Sequence, residues 1–506
     1  MQQNVLEYLK ASVARFPQKL AFTDEREELT FAELDLRSRA LGTYIAQSIK
    51  TVNRPVAVLV ERSAAAVAAF MGVLQSGNFY VPIESQMPPA RIREILEQLQ
   101  PAALIYTEDT KTPVPELYGF CPVISAEDGF STQPDDELLN SKTSGIIDID
   151  PAYIMFTSGS TGVPKGIVIS HYSIIDFTDW MADTLGYTEN EVMANQIPFF
   201  FDPSVKDIYL TMKCGATTHI IPKKLFMFPL PLINFIKEKK ATALNWSTAA
   251  FHMVANSKAL EKSVPQTVRK IVVGGETMYA KHLNIWRRAL PDAMYVNAYG
   301  PAEVTVDCTY YIIDREYEDH EAIPIGITCR NKEVMLLDED LNPVPVGEVG
   351  EICVRGGGLS LGYYGDTEKT DAAFVQNPHC PWYRDTLYRT GDMGQMRKDG
   401  LIMFLTRHDG QIKHSGYRIE LGEIETALSA FTEIREQACF FDKERDKIVC
   451  AYSGTATQDS IIGFLKNLLP KYMYPNIFRH MESLPRTSNG KIDRVKLKED
   501  YFSEKG

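Results

Sequence analysis

With 506 residues the chain is too long for one ordinary core; it implies roughly two to four compact units, one of them a large α/β body. Hydrophobic residues make up 44% and charged residues 24%, the balance of a soluble globular protein. A net charge of −13 disfavours a non-specific nucleic-acid binder, which needs basic surface to displace counterions from phosphates, so no nucleic-acid partner is expected.

The opening residues, Met1-Gln2-Gln3-Asn4-Val5, lack the charged and then apolar halves of a signal peptide. Residues 56–60 and 103–106 are short apolar runs that read as buried strands, and residues 89–99 and 232–239 as amphipathic helices. The longest apolar stretch, 64–74, is too short to span a bilayer and reads as a buried helix. A cytoplasmic protein without a membrane partner is expected, acting as a monomer. Strand–helix alternation at this spacing implies parallel sheets covered by helices. From Val334-Met335-Leu336-Leu337 onward, short strands separated by turns at 340–343 and 347–350 suggest a β-rich subdomain. A polar break at 406–410 places a boundary at Asp409, giving a large body over 1–408 and a small α+β domain over 409–506. The eight cysteines form no C-x-x-C pair, which argues for reduced thiols rather than a zinc site or a disulfide framework.

The most informative segment runs from Tyr153 to Gly166. An apolar strand enters Thr157-Ser158-Gly159-Ser160-Thr161-Gly162, and Lys165 precedes a second apolar strand at 167–169. Glycines let backbone N–H groups approach phosphate oxygens, hydroxyls add donors, and lysine adds charge. No Gly-Lys-Ser/Thr closes the loop, so it is not a Walker A sequence; a surface turn is the plain alternative.

Further segments, in order along nearly the whole chain, extend the pattern. They are Leu29-Thr30-Phe31-Ala32-Glu33-Leu34, Gly77 to Ile83, Phe201-Asp202-Pro203-Ser204-Val205, and Asn297-Ala298-Tyr299-Gly300-Pro301-Ala302-Glu303. Next come Gly347 to Ile352, Tyr388-Arg389-Thr390-Gly391-Asp392, Arg407 to Glu425, Leu469 to Met473 and Asn489-Gly490-Lys491-Ile492-Asp493. This ordered series resembles the adenylate-forming superfamily of acyl-CoA synthetases, luciferases and nonribosomal peptide synthetase adenylation domains.

The resemblance implies ATP and Mg²⁺ as cofactors and attack of a substrate carboxylate on the α-phosphate, with pyrophosphate leaving. It implies that Thr157, Ser158, Gly159, Ser160, Thr161, Gly162 and Lys165 hold phosphates, and that Glu303 holds Mg²⁺. Tyr299 would stack on adenine, with Gly274, Gly275, Glu276, Asn297, Ala298 and Gly300 around the base. Asp392 would bind the ribose hydroxyls beside Arg407, and Lys491 would bridge carboxylate and α-phosphate. Asp409 falls at the hinge about which such C-terminal domains rotate between half-reactions. The chain departs from the usual pattern at Ala302, where Thr is common, and at Thr406, where Gly is common.

Asp202 resembles the aspartate that pairs with a substrate α-ammonium in amino-acid-activating members; helix capping, with Pro203 at the first helical position, is the alternative. The other matching pocket positions are Pro203, Lys206, Trp246 (or Asn245), Val272, Gly274, Ala298, Val306 and Asp307. Lys206 with Gly274, Val306 and Asp307 resembles glutamate-selecting pockets; alternatively Lys206 and Asp307 neutralise each other and leave a pocket for Ala, Gly or Ser. The chain also resembles D-alanine–carrier protein ligases, although those have cysteine in place of Gly274. With no Gly-Gly-x-Ser site in the sequence, the expected acceptor is the phosphopantetheine thiol of a separate carrier protein. An acyl- or aryl-CoA ligase is the competing reading, and it needs Asp202 as a cap.

Overall fold

The computed structural model describes residues 2–110, 119–157, 164–407, 411–486 and 492–504. The chain divides into two compact units, the first formed by 1–85, 99–156 and 166–408, the second by 86–98, 157–165 and 409–506. The sequence suggests one cut; the second unit also gathers two short inner segments.

Among the described residues, the first unit is built on three sheets. The nine-stranded sheet runs in the order Ile327–Thr328, Thr309–Ile312, Met294–Tyr299, Lys270–Gly274, Ala243–Ser247, Val192–Asn195, Thr217–Ile220, Leu20–Thr23, Glu28–Thr30. Its six inner strands, from Met294–Tyr299 to Leu20–Thr23, are parallel. A six-stranded sheet holds Pro55–Val60, Phe79–Glu84 and Ala103–Tyr106, and a five-stranded antiparallel sheet follows from Lys332–Leu337 onward. Helix-covered parallel sheets and a β-rich subdomain are thus both present, as the alternation and the later short strands imply.

Several motif residues build the frame. Thr30 caps the helix Phe31–Ser48 by accepting from the Glu33 N–H, while Glu33 accepts from the Thr30 N–H, a reciprocal capping box. Gly77 has φ +75°, and a Cβ there would lie 2.7 Å from the Lys142 carbonyl oxygen, so only glycine fits this turn before the strand Phe79–Glu84. The apolar stretch after Ser63 is the buried helix Ala64–Gln75. No helix among the described residues is long and apolar enough to cross a membrane.

The second unit carries a three-stranded sheet of Ile434–Asp442, Lys447–Gly454 and Ile477–His480 and a hairpin of Gln411–His414 with Tyr417–Glu420. The helices Leu421–Ser429 and Gln458–Leu465 bury Ile424, Leu428, Ile461 and Leu465 in its core.

Candidate active site

The candidate residues of the first unit gather at the C-terminal ends of the parallel strands, where open α/β sheets place their ligands. Register aligns Asn245 with Val272 and Val296, and one pleat further Ser247 with Gly274 and Ala298. Side chains alternate across a strand, so Asn245, Val272 and Ala298 share one face while Trp246 and Val273 take the other. A Cβ on Gly274 would stand 2.8 Å from the Ala298 carbonyl oxygen, and Gly275 has φ +105°, so both need glycine.

This corrects the placement of Trp246. Its ring packs against Trp286 at 6.4 Å and its Nε1–H donates to the Ala194 carbonyl at 2.9 Å, within the core behind the sheet. Asn245, the alternative, lies on the opposite face and bonds Asp207 and the Tyr187 hydroxyl. Asn297 points away from Ala298 and donates to the Pro324 carbonyl at 2.7 Å.

Asp202 opens a short 3₁₀ turn, Asp202–Ser204, that leads into the helix Val205–Cys214. It stands at the first turn residue, with Phe201 at the cap position and Pro203 following. The charge of Asp202, after burial, helps push the fully buried Tyr153 phenol up. Lys206 follows, buried, with Nζ 2.7 Å from Asp307 Oδ2. That oxygen is buried and makes no aligned hydrogen bond, so the two groups attract by charge without a well-directed N–H···O contact. Asp207, also buried, accepts from Asn195 Nδ2 at 2.9 Å and Asn245 Nδ2 at 2.8 Å. Burial pushes its carboxyl up to about 6, against the pull of those amides and of Lys206.

A tight loop carries Glu303 and Asp307. Thr305 and Val306 have φ +57° and +68°, values that β-branched residues rarely adopt and that cost ~1–3 kcal/mol each. Cβ on Gly300 would stand 2.7 Å from Asp307 Cα, so the loop folds back on a glycine. Thr305 Oγ1 donates to the Gly358 carbonyl at 2.8 Å, and the Ser360 N–H donates to the Glu303 carbonyl at 2.8 Å. The Glu303 carboxylate is fully buried and accepts from the Tyr363 hydroxyl at 2.9 Å on Oε1. Sequence reasoning missed Tyr363, and its Gly-Tyr-Tyr context was the one available signal.

Asp392 is buried and accepts from the Tyr299 hydroxyl. Burial first, and then the Asp392 charge, hold the Tyr299 phenol well above its usual range. The Asp392 N–H donates to Thr390 Oγ1 at 3.0 Å. Glu351 receives Arg389 at 2.6 Å and the Gly391 N–H at 2.9 Å, so two sequence motifs meet to fix this turn. Arg407 pairs with Asp392 in strand register; its side chain lies outside the described ones. Glu276 exchanges backbone hydrogen bonds with the Thr248 hydroxyl.

The strand Pro151–Thr157 ends at Thr157, whose Oγ1 is buried and has no hydrogen-bond partner among the described residues, and Lys165 begins the next strand. Ser158, Gly159, Ser160, Thr161, Gly162, Asp409 and Lys491 lie outside the described residues.

Bacitracin synthase 1 of Bacillus licheniformis is 33% identical over 505 residues, covering 97% of this chain and 9% of that protein. The chain thus spans a small part of the length of the curated relatives it matches. The structure of holo-PA1221, a nonribosomal peptide synthetase protein with adenylation and carrier (PCP) domains, superposes with a TM-score of 0.84 at 24% identity, covering 98% of this chain and 84% of that one. The crystal structure of IdnL1 gives 0.80 at 26% identity, covering 96% and 98%. A family model described as AMP-binding enzyme matches residues 9–364, a stretch that holds Lys165, Asp202, Glu303 and Asp307. The chain belongs to that family of adenylate-forming enzymes.

Proposed function

We propose that the chain activates a small, neutral amino acid as its aminoacyl-AMP and passes the acyl group to the phosphopantetheine thiol of a separate carrier protein. The observation that carries the substrate reading is the buried Lys206–Asp307 pair at 2.7 Å. A glutamate side chain needs a cation of its own in the pocket, and here Asp307 already sits against that cation. The pair therefore favours the small-residue reading over glutamate. Asp202, set in Phe201-Asp202-Pro203-Ser204-Val205 at the first residue of the turn before the helix Val205–Cys214, supports pairing with an α-ammonium group over the CoA-ligase reading.

In this reading, Asp202 orients the amino acid so that its carboxylate oxygen attacks the α-phosphorus of ATP. The bond to pyrophosphate breaks, and the aminoacyl adenylate forms. Asp392, held by Thr390 and Tyr299, accepts from ribose hydroxyls. The buried Thr157 hydroxyl and Lys165 serve the phosphates. A fully buried carboxylate fits a hard divalent cation, so Glu303 would hold Mg²⁺, which supplies charge compensation to the phosphates. Lys491 neutralises charge as the carboxylate attacks. In the second step the carrier sulfur attacks the acyl carbon and AMP leaves. The carrier arm is supported by relatives such as the synthetase protein with adenylation and PCP domains.

Amino-acid-dependent ATP–pyrophosphate exchange tests the proposal, with all L-amino acids, D-alanine, benzoates and fatty acids, and with Lys491→Ala as control. Exchange with Ala, Gly or Ser that vanishes in the control is expected. Exchange with glutamate would restore Lys206 as its partner, and exchange only with aryl or fatty acids would move the chain to the CoA ligases.

A further inference from the structure

Lys332 belongs to none of the motifs that point to adenylate chemistry. It begins the strand Lys332–Leu337, and its Nζ reaches the loop that bears Glu303 and Asp307. It donates to the Asp307 carbonyl at 2.6 Å, the Val304 carbonyl at 3.1 Å and the Thr305 carbonyl at 3.5 Å. An ammonium group has three N–H donors and no acceptor, and here three carbonyls of one loop turn to it. The route is built for this side chain. A Cβ on Gly358 would collide with Lys332 Cε, and the Phe177 ring lies 5.4 Å from Nζ on another side.

Thr305 and Val306 hold unfavourable left-handed backbone, and three carbonyl dipoles converge on one point. Neither arrangement persists unless surrounding contacts over-determine it, and charge-assisted hydrogen bonds are the strong kind. We infer that Lys332 is a positioning residue for the adenylation reaction: by gathering the Val304, Thr305 and Asp307 carbonyls it sets the Asp307 carboxylate against Lys206. This rests on the amino-acid-activation reading above and adds to it a residue that touches no substrate. A lysine that only fastened the strand to the loop would affect melting, but not the division of kinetic effects between substrates.

The experiment compares full-length wild type, Lys332→Met and Gly358→Ala, whose new methyl would crowd Lys332 Cε and Nζ and stand 2.8 Å from the Val304 carbonyl oxygen. Exchange is measured against amino acid and against ATP, together with the melting shift that amino acid and ATP induce. Lys332→Met is expected to raise the amino-acid KM ~10- to 100-fold, the scale of a misplacement near 1 Å, with the ATP KM within about twofold. The amino-acid-induced melting shift should shrink with it, and Gly358→Ala should follow in the same direction. Wild-type kinetics in Lys332→Met, or equal loss in every parameter in step with the unfolded fraction, overturns the assignment. If Lys332→Met does not fold, Lys332→Gln decides by the same criteria, with Gly358→Ala as a second reading of the same loop. Absence of exchange by the wild type with every amino acid would instead sink the activation reading, and the assignment with it.

Discussion

The two faces of the nine-stranded sheet serve different ends. Behind it, Leu244, Trp246, Ile271, Val273 and Tyr295 join Trp286 and Phe251 in an apolar core, with Phe251 and Trp286 stacked at 5.2 Å. In front, the same strands present Asn245, Val272, Gly274 and Ala298, and the neighbouring elements add Lys206, Asp207 and Asp307. A period of two lets one strand feed both, so of two adjacent residues Asn245 joins the polar face with Asp207 and Trp246 joins the apolar core. Mutations on the rear face should cost folding and leave amino-acid ranking alone; mutations on the front should change ranking or pH response.

The largest effect is expected from Trp246→Ala. It removes a buried indole, its contact with Trp286 and a buried hydrogen bond, which should cost about 5 kcal/mol, the upper end for such truncations. A urea unfolding midpoint reads this directly. Relative exchange rates across amino acids should stay as in the wild type, and a changed ranking would return Trp246 to the pocket.

Next comes Lys206→Met, which leaves Asp307 buried without its cation and should cost about 4 kcal/mol. The pocket then carries an unmatched negative charge, so exchange with ornithine or lysine should appear. Lys206→Met combined with Asp307→Asn should regain most of the stability and lose the basic substrates. Additive costs in that cycle would mean that the two groups act independently, as a glutamate-binding lysine requires.

Asp207 offers a smaller and pH-dependent effect. Its carboxyl titrates at 3.8 ordinarily and near 6 in the folded chain. As pH rises between those values the unfolded chain releases the proton first, so stability falls. The contribution is full below the lower value and gone above the upper one, at most about 3 kcal/mol. Asp207→Asn should erase that slope in unfolding measured from pH 4 to 7. Asn195 Oδ1 is buried without a partner, so turning that amide gives the new N–H an acceptor. An unchanged slope would show that Asp207 is not the group responsible.

Much of this arrangement was legible where one residue type answers one backbone demand. The Thr30–Glu33 capping box, the positive φ of Gly77 and the parallel strands follow from local rules. What the sequence left open was pairing at a distance. Lys206 and Asp307 were both visible as charges, but whether they meet depends on a loop that turns at Thr305 and Val306. Nothing in two β-branched residues announces left-handed backbone. The phase of the strand Ala243–Ser247 was also open, because motif spacing fixes a strand only to within a residue. The better clue was a lone Asn245 between apolar Leu244 and Trp246, which marks the face turned to polar neighbours. Lys332 lay beyond reach because its partners are backbone carbonyls, which leave no trace in side-chain identity.

The smallest expected effect tests how Glu303 is held. Tyr363 donates to a Glu303 carboxylate that is cut off from water, so Tyr363→Phe removes a hydrogen bond to a buried charge while keeping the ring. Such bonds are worth about 1.5 kcal/mol, close to a tenfold change in an equilibrium constant. If Tyr363 orients Glu303 toward Mg²⁺, the Mg²⁺ concentration for half-maximal exchange should rise about tenfold, while the amino-acid KM stays put because the pocket lies at the other end of the loop. If the bond is merely structural, melting temperature falls and the Mg²⁺ dependence does not move. The same loop would then be read as held from one side only, by the Ser360 N–H at the Glu303 carbonyl and Lys332 beyond it, with the carboxylate left to find its own orientation.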